Sequence, residues 1–189
     1  MTPAMGPISF AAAFLMVSSS AVGAAGDQTK PGAPPPVSSE PRETSASFGD
    51  WVSRCDRIGS EPTAKKVCEA AQTLVVKGQQ QPVAQIAFAR GEGGALLLTV
   101  LLPLNIAFTK APEFGIEGEE AKAIKLTLRR CVPAGCFAEA KIEAPLLAEF
   151  RSTTKAGVIT FPDASERTIA LPLSFRGLAQ ALDDLNKHS

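Results

Sequence analysis

Residues 83–102 read VAQIAFARGEGGALLLTVLL, two apolar runs on either side of Gly91-Glu92-Gly93-Gly94. Each run has the length of a strand, and the glycines supply the backbone freedom of a tight reversal, so the stretch is read as an antiparallel hairpin. Its second half lacks polar alternation, which predicts a central strand covered on both faces. Downstream, Ile124, Leu126 and Leu128 alternate with Lys125, Thr127 and Arg129. That period of two predicts a strand with one buried and one wet face. From Phe48 onward, Gly and Pro break apolar segments roughly every eight to twelve residues, the spacing of an antiparallel β-domain.

Helical periodicity is confined to the far end. Phe175, Leu178, Leu182 and Leu185 recur at steps of three and four, with Arg176, Gln180, Asp183, Asp184 and Lys187 opposite them. Ser174 is the expected N-cap. A shorter turn is expected over residues 144–150, where Pro145 sits at an early position that tolerates it.

Working back toward the N-terminus, the composition changes twice. Residues 26–47 hold one large aliphatic, Val37, among Pro, Ser, Thr and charged residues, too little apolar surface to offset the entropy of ordering. They are read as a disordered spacer, for which a tether is the commonest use and a proline-recognition ligand at Pro34-Pro35-Pro36 the rarer one. Before it, ISFAAAFLMV at residues 8–17 has the length of a signal-peptide core and is too short to span a bilayer. Small residues follow, so cleavage is expected after Ala24 or Ala25. The chain is thus divided into a signal peptide (1–25), a spacer (26–47) and one domain (48–187), destined for the periplasm or the medium. The mature part has no predicted transmembrane segment. Nineteen basic and nineteen acidic residues cancel, which leaves no electrostatic case for a nucleic-acid partner.

Four cysteines lie at 55, 68, 131 and 136. In an exported chain an even number reads as a disulfide framework. Pro133 and Gly135 close a tight turn between Cys131 and Cys136, so those two are paired, and Cys55 is then paired with Cys68. A redox-active pair would need C-x-x-C at a helix start, and zinc would need thiolates at zinc-ribbon spacing. Neither pattern is present, so no metal or cofactor is expected.

Catalytic groups are scarce. The single histidine, His188, lies at the end of the chain, where a frayed tail would not hold an imidazole against a nucleophile, and there is no tyrosine. Glu113, Glu117, Glu119 and Glu120 cluster around Gly115 and Gly118 and read as a solvated acidic turn. Arg129-Arg130 reads as a solvated pair. No catalytic residue is assigned, and the chain is expected not to be an enzyme.

Phe48-Gly49-Asp50-Trp51 followed by Cys55, the second cysteine followed by Gln72, Leu101-Leu102-Pro103-Leu104, Arg130-Cys131-Val132-Pro133-Ala134-Gly135-Cys136-Phe137-Ala138 and Leu173-Ser174-Phe175-Arg176-Gly177-Leu178 together resemble the invasion-associated locus B (IalB) family, in order and over residues 48–186. Asn105, where the family more often has glycine, is a departure. The resemblance implies an exported protein of Gram-negative bacteria, with a mainly β, immunoglobulin-like antiparallel sandwich and a C-terminal helix. It also implies, from the family's namesake, a contribution to invasion of host cells, and it carries over no catalytic or ligand-binding residue. The function expected is a non-enzymatic envelope or secreted protein that binds a macromolecule, on the host-cell surface or in the envelope. The alternative is a periplasmic protein that binds a small ligand or supports the envelope under stress, with no host role.

Overall fold

The computed structural model describes residues 42–60, 62–78 and 81–188. The expected signal peptide and residues 26–41 of the expected spacer lie outside them. In chain order the strands are β1 (Glu43–Phe48), β2 (Trp51–Ile58), β3 (Lys65–Leu74), β4 (Ala84–Arg90), β5 (Leu96–Leu102), β6 (Glu113–Ile116), β7 (Ile124–Lys125), β8 (Thr127–Val132) and β9 (Gly135–Lys141); helix α1 (Ala144–Ser152), strands β10 (Gly157–Pro162) and β11 (Thr168–Leu173), and helix α2 (Leu178–His188) complete the domain. Seven strands form one antiparallel sheet in the order β1-β2-β3-β4-β5-β9-β8, and four form a second in the order β11-β10-β6-β7. The fold is mainly β, built of antiparallel sheets with a C-terminal helix, as expected.

The core lies between the sheets and under the helices. Phe88 of the large sheet meets Phe114 of the small one edge to face at 6.3 Å. Phe114 also meets Phe150 of α1 and Phe175 just before α2, at 5.1 and 6.1 Å. Trp51 closes the cluster from β2, 5.6 Å from Phe88. These five rings carry a large share of the burial that drives folding, with the offset and edge-on geometries that aromatic quadrupoles favour.

The 83–102 hairpin forms as read, with Arg90 opposite Leu96 and Phe88 opposite Leu98. Strand β5 is central in the large sheet, between β4 and β9. The expectation that both its faces are covered is corrected: Leu96, Leu98, Val100 and Leu102 are buried, while Leu97, Thr99 and Leu101 are only partly so. An unbroken apolar run does not say which residues a second layer reaches.

Three further readings change. Ile124, Leu126 and Leu128 alternate as expected, but the chain changes sheets among them, β7 belonging to the small sheet and β8 to the large one. Leu126 makes the crossing, buried, its N–H donating to the carbonyl of Pro112 at 2.7 Å. The spacer ends earlier than residue 47, because residues 43–47 pair with β2 as the outermost strand of the large sheet. That strand is held by backbone hydrogen bonds and its side chains are largely exposed, so no apolar pattern announces it. Finally, α2 begins at Leu178 and not beside Ser174. Gly177 has φ +92°, outside helical space, and its carbonyl accepts a four-residue helical bond, from the Ala181 N–H at 3.0 Å. The apolar stripe itself is placed correctly, with Leu178, Leu182 and Leu185 all buried.

Candidate functional site

The two ends of the domain are clasped together around Gln72. This side chain is almost fully buried, and its amide is fully used: Nε2 donates to the carbonyls of Asp50 (3.1 Å) and Ser174 (3.0 Å), and Oε1 accepts from the Ser174 N–H (3.1 Å). The Trp51 indole N–H donates to the same Ser174 carbonyl at 2.7 Å, and the Asp50 N–H donates to the Arg176 carbonyl at 3.0 Å. Outside these, the Arg176 guanidinium grips the Asp50 carboxylate with two hydrogen bonds, 3.1 and 2.6 Å long. Ser174, expected as a helix cap, supplies the backbone that the clasp holds.

The electrostatics of the clasp follow from this geometry. The Arg176 guanidinium, helped by the Ser174 hydroxyl, lowers the Asp50 pKa to about 2 from an ordinary 3.8. A carboxylate whose pKa is depressed in the folded state stabilises that state above the unfolded pKa, and the contribution disappears as pH falls toward the folded value. The stability difference between the parent protein and Asp50→Asn is therefore expected to be constant above about pH 4 and to shrink steadily toward pH 2. Urea melts at stepped pH check this, and a difference that does not change over that window contradicts it.

The cysteines stand opposite one another on neighbouring strands. Cys55 of β2 faces Cys68 of β3 with Cα atoms 4.0 Å apart and sulfurs 2.10 Å apart; Cys131 of β8 faces Cys136 of β9 at 3.9 and 2.01 Å. The closeness comes from direct cross-strand opposition in an antiparallel ladder. Helix α2 ends against the first pair, the His188 carbonyl lying 3.5 Å from Cys68 Sγ.

His188, Glu119, Arg129 and Arg130 each have a partner. His188 is not on a frayed tail, since α2 runs through it, but its Nδ1 lies 2.9 Å from the Asp184 carbonyl and no nucleophile is hydrogen-bonded to it among the described residues. Glu119 binds Lys155 at 2.7 Å and Lys122 at 2.9 Å, and these lysines lower its pKa to about 2. Arg129 pairs with Glu139 at 3.1 Å, and Arg130 stacks over the Phe137 ring at 5.3 Å. Among the described residues, no group of three or more His, Cys, Asp or Glu could hold a metal ion.

Several hollows open on the described surface, and one of them adjoins the clasp. It begins at the clasp as a groove of about 800 Å³ between β11 (Ala170 to Leu173) and the end of β3 with the loop after it (Leu74 to Lys77), and it continues past Val83 and Leu171 into a second hollow of about 480 Å³ beside Ile169 and Arg167. Val75 and Val76 on its wall are 55% and 40% exposed. Sequence reasoning missed this groove, because β11 has an ordinary strand composition and its outermost place in the small sheet is a matter of topology.

The family model described as Invasion associated locus B (IalB) protein matches residues 51–186, most of the chain. The chain belongs to the IalB family. Two relatives, the invasion protein B homologs of Brucella abortus strain 2308 and of Brucella abortus biovar 1 strain 9-941, are each 26% identical to it over 136 residues, 72% of this chain and 75% of theirs. The crystal structure of invasion associated protein B from Bartonella henselae superposes with a TM-score of 0.62 at 22% identity, covering 76% of this chain and 95% of that one. In this IalB-family chain, the Asp50-Trp51 and Ser174-Phe175-Arg176-Gly177 segments that carried the resemblance are the two halves of the clasp. Their role here is to hold the fold closed, and the open groove lies beside them.

Proposed function

We propose that this IalB-family chain is an exported, disulfide-bonded protein that acts by binding a macromolecular partner and not by catalysis. The observation that carries the reading is the groove along β11: its wall is apolar and partly exposed, while Asp50, Gln72 and Ser174 at its end are already engaged in the clasp. An apolar trough in which Asp50, the carboxylate on its lining, is already held by Arg176 suits recognition better than proton transfer. The cross-strand cysteine pairs suit an oxidising compartment, and among the described residues no helix is long and apolar enough to cross a membrane. From the names of the relatives, the partner proposed lies on the host-cell surface or in the bacterial envelope.

Two measurements test this. Intact mass of the protein from the periplasmic fraction or the medium is expected to correspond to a start at Ala25 or Gly26 with no cysteine open to alkylation; retention of Met1 or a reactive thiol contradicts export or the disulfides. Affinity capture with this mature protein, from envelope and from host-cell membranes, is expected to retain a protein or polysaccharide. A turnover activity that survives removal of His188 would replace the binding reading with an enzymatic one.

The same reading makes residues 27–41 a tether. Deleting them is expected to leave the thermal midpoint unchanged, whereas a deletion that continues through Phe48 removes β1 and is expected to cost about 2 kcal/mol, the scale of losing several ladder hydrogen bonds at a sheet edge. Thermal melts of the two truncations decide it; equal midpoints would show that β1 adds nothing.

A further inference from the structure

Strand β11 is the outer strand of the small sheet, and the direction of its backbone groups can be worked out. The carbonyls of Ala156, just before β10, and of Pro162, its last residue, turn away from β11, accepting from Glu117 (2.9 Å) and Ala107 (3.0 Å). The odd-numbered residues of β10 therefore serve β11, consistent with the Asp163 N–H donating to the Arg167 carbonyl at 2.9 Å. Opposite them stand Ile169, Leu171 and Leu173. In an antiparallel ladder the intervening residues turn their N–H and C=O groups the other way. Those of Ala170 and the carbonyl of Pro172, at the lip of the groove, and those of Thr168 further along the same edge, thus face outward on exposed residues, with no backbone hydrogen bond to the rest of the described protein.

The next residue in this outward series is Ser174, and it does have a partner. The Gln72 amide accepts from its N–H and donates to its carbonyl, the exchange a neighbouring strand would make. The edge thus continues for three more positions beyond an amide already seated on it. Pro172 interrupts the donors, leaving Ala170 and Thr168 to fix the register of anything that follows. Val75, Val76 and Val83 line the same groove as Ala170 and supply an apolar wall beside this edge.

We propose that this groove binds an extended peptide segment of a partner protein, which adds as a strand to the edge of β11 through Ala170 and Thr168 and lays its alternate apolar side chains against Val75, Val76 and Val83. Backbone pairing supplies the orientation and the valine wall selects apolar residues at every second position. The proposal rests on the binding reading above and narrows it to one surface.

The probe is a synthetic, end-capped heptapeptide of alternating valine and threonine with a lysine at each end, titrated to 1 mM into the isotope-labelled mature protein. The amide signals of Ala170 and Thr168 are expected to shift and their hydrogen exchange to slow at least tenfold, and the same peptide N-methylated at its valines is expected to do neither. Ala170→Pro, which removes an outward donor, and Val76→Lys, on an exposed wall residue, are each expected to weaken binding at least tenfold. Unmoved Ala170 and Thr168 signals at 1 mM peptide, or equal effects of the N-methylated control, overturn the proposal. So do shifts that appear with protein concentration alone, which assign the edge to a second copy, and slow exchange in the peptide-free protein that is lost on deleting residues 27–41, which assigns it to the chain's own leader side. If the captured partner binds Ala170→Pro and Val76→Lys as well as the parent, the macromolecular reading stands and the β11 edge is not its site.

Discussion

Gly177→Ala is expected to lower the thermal midpoint by about 15 °C. Two separate costs meet at this residue. Its φ of +92° is a conformation that a side chain disfavours by about 1–2 kcal/mol. A Cβ built there would stand 1.8 Å from the Phe48 carbonyl oxygen and 2.4 Å from its carbon, backbone that cannot rotate aside. Relief requires the β1–β2 turn to move off the start of α2, which strains the Asp50–Arg176 and Trp51–Ser174 contacts, and overpacking of this kind costs a further 1–3 kcal/mol or so. The sum is about 4 kcal/mol, and at roughly 3–4 °C per kcal/mol for a domain of this size it yields the stated shift. Gly78 separates the two costs: its φ is +90°, yet a Cβ there meets nothing within 4 Å. Gly78→Ala is expected to lose only about 1–2 kcal/mol. Thermal melts of both variants check this; equal losses would show that the crowding against Phe48 does not matter.

Phe114→Ala is expected to cost about 4 kcal/mol. The ring is fully buried and touches Phe88, Phe150 and Phe175, so its removal opens a cavity where the two sheets and both helical segments meet. Truncating a buried phenylalanine loses both transfer free energy and the contacts across the void, typically about 3–5 kcal/mol. Trp51, the single tryptophan, is fully buried in the same cluster and reports unfolding by its fluorescence. Phe114→Leu keeps most of the volume and is expected to cost less than half as much. A urea midpoint in Phe114→Ala close to that of the parent would mean that the core collapses onto the site, and that Phe114 does not join the sheets.

The elements legible from the chain alone were those whose signal is local. The 83–102 hairpin carries its glycine turn within it, the α2 stripe repeats at helical spacing, and alternation around Leu126 marks which side chains are buried. The motifs beginning at Phe48 and ending at Leu178 were visible as words, but their meaning was not. Gln72 and Ser174 are 102 residues apart, and an exchange of hydrogen bonds between a side-chain amide and a distant backbone leaves no periodic trace. Strand β1 escaped notice for a related reason, since backbone pairing at a sheet edge asks nothing of the side chains.

By itself, then, the sequence determined the β-rich class, the hairpin, the buried stripe of the last helix and the family resemblance, because apolar periodicity and turn residues act over a few neighbouring positions. Only the tertiary structure decided that Leu126 carries the chain from one sheet to the other, that the two motif halves close on each other, and that β11 has, among the described residues, no neighbouring strand on its outer edge. Those outcomes depend on which strands end up adjacent, a choice made by long-range packing of the whole core and not by any one stretch of residues.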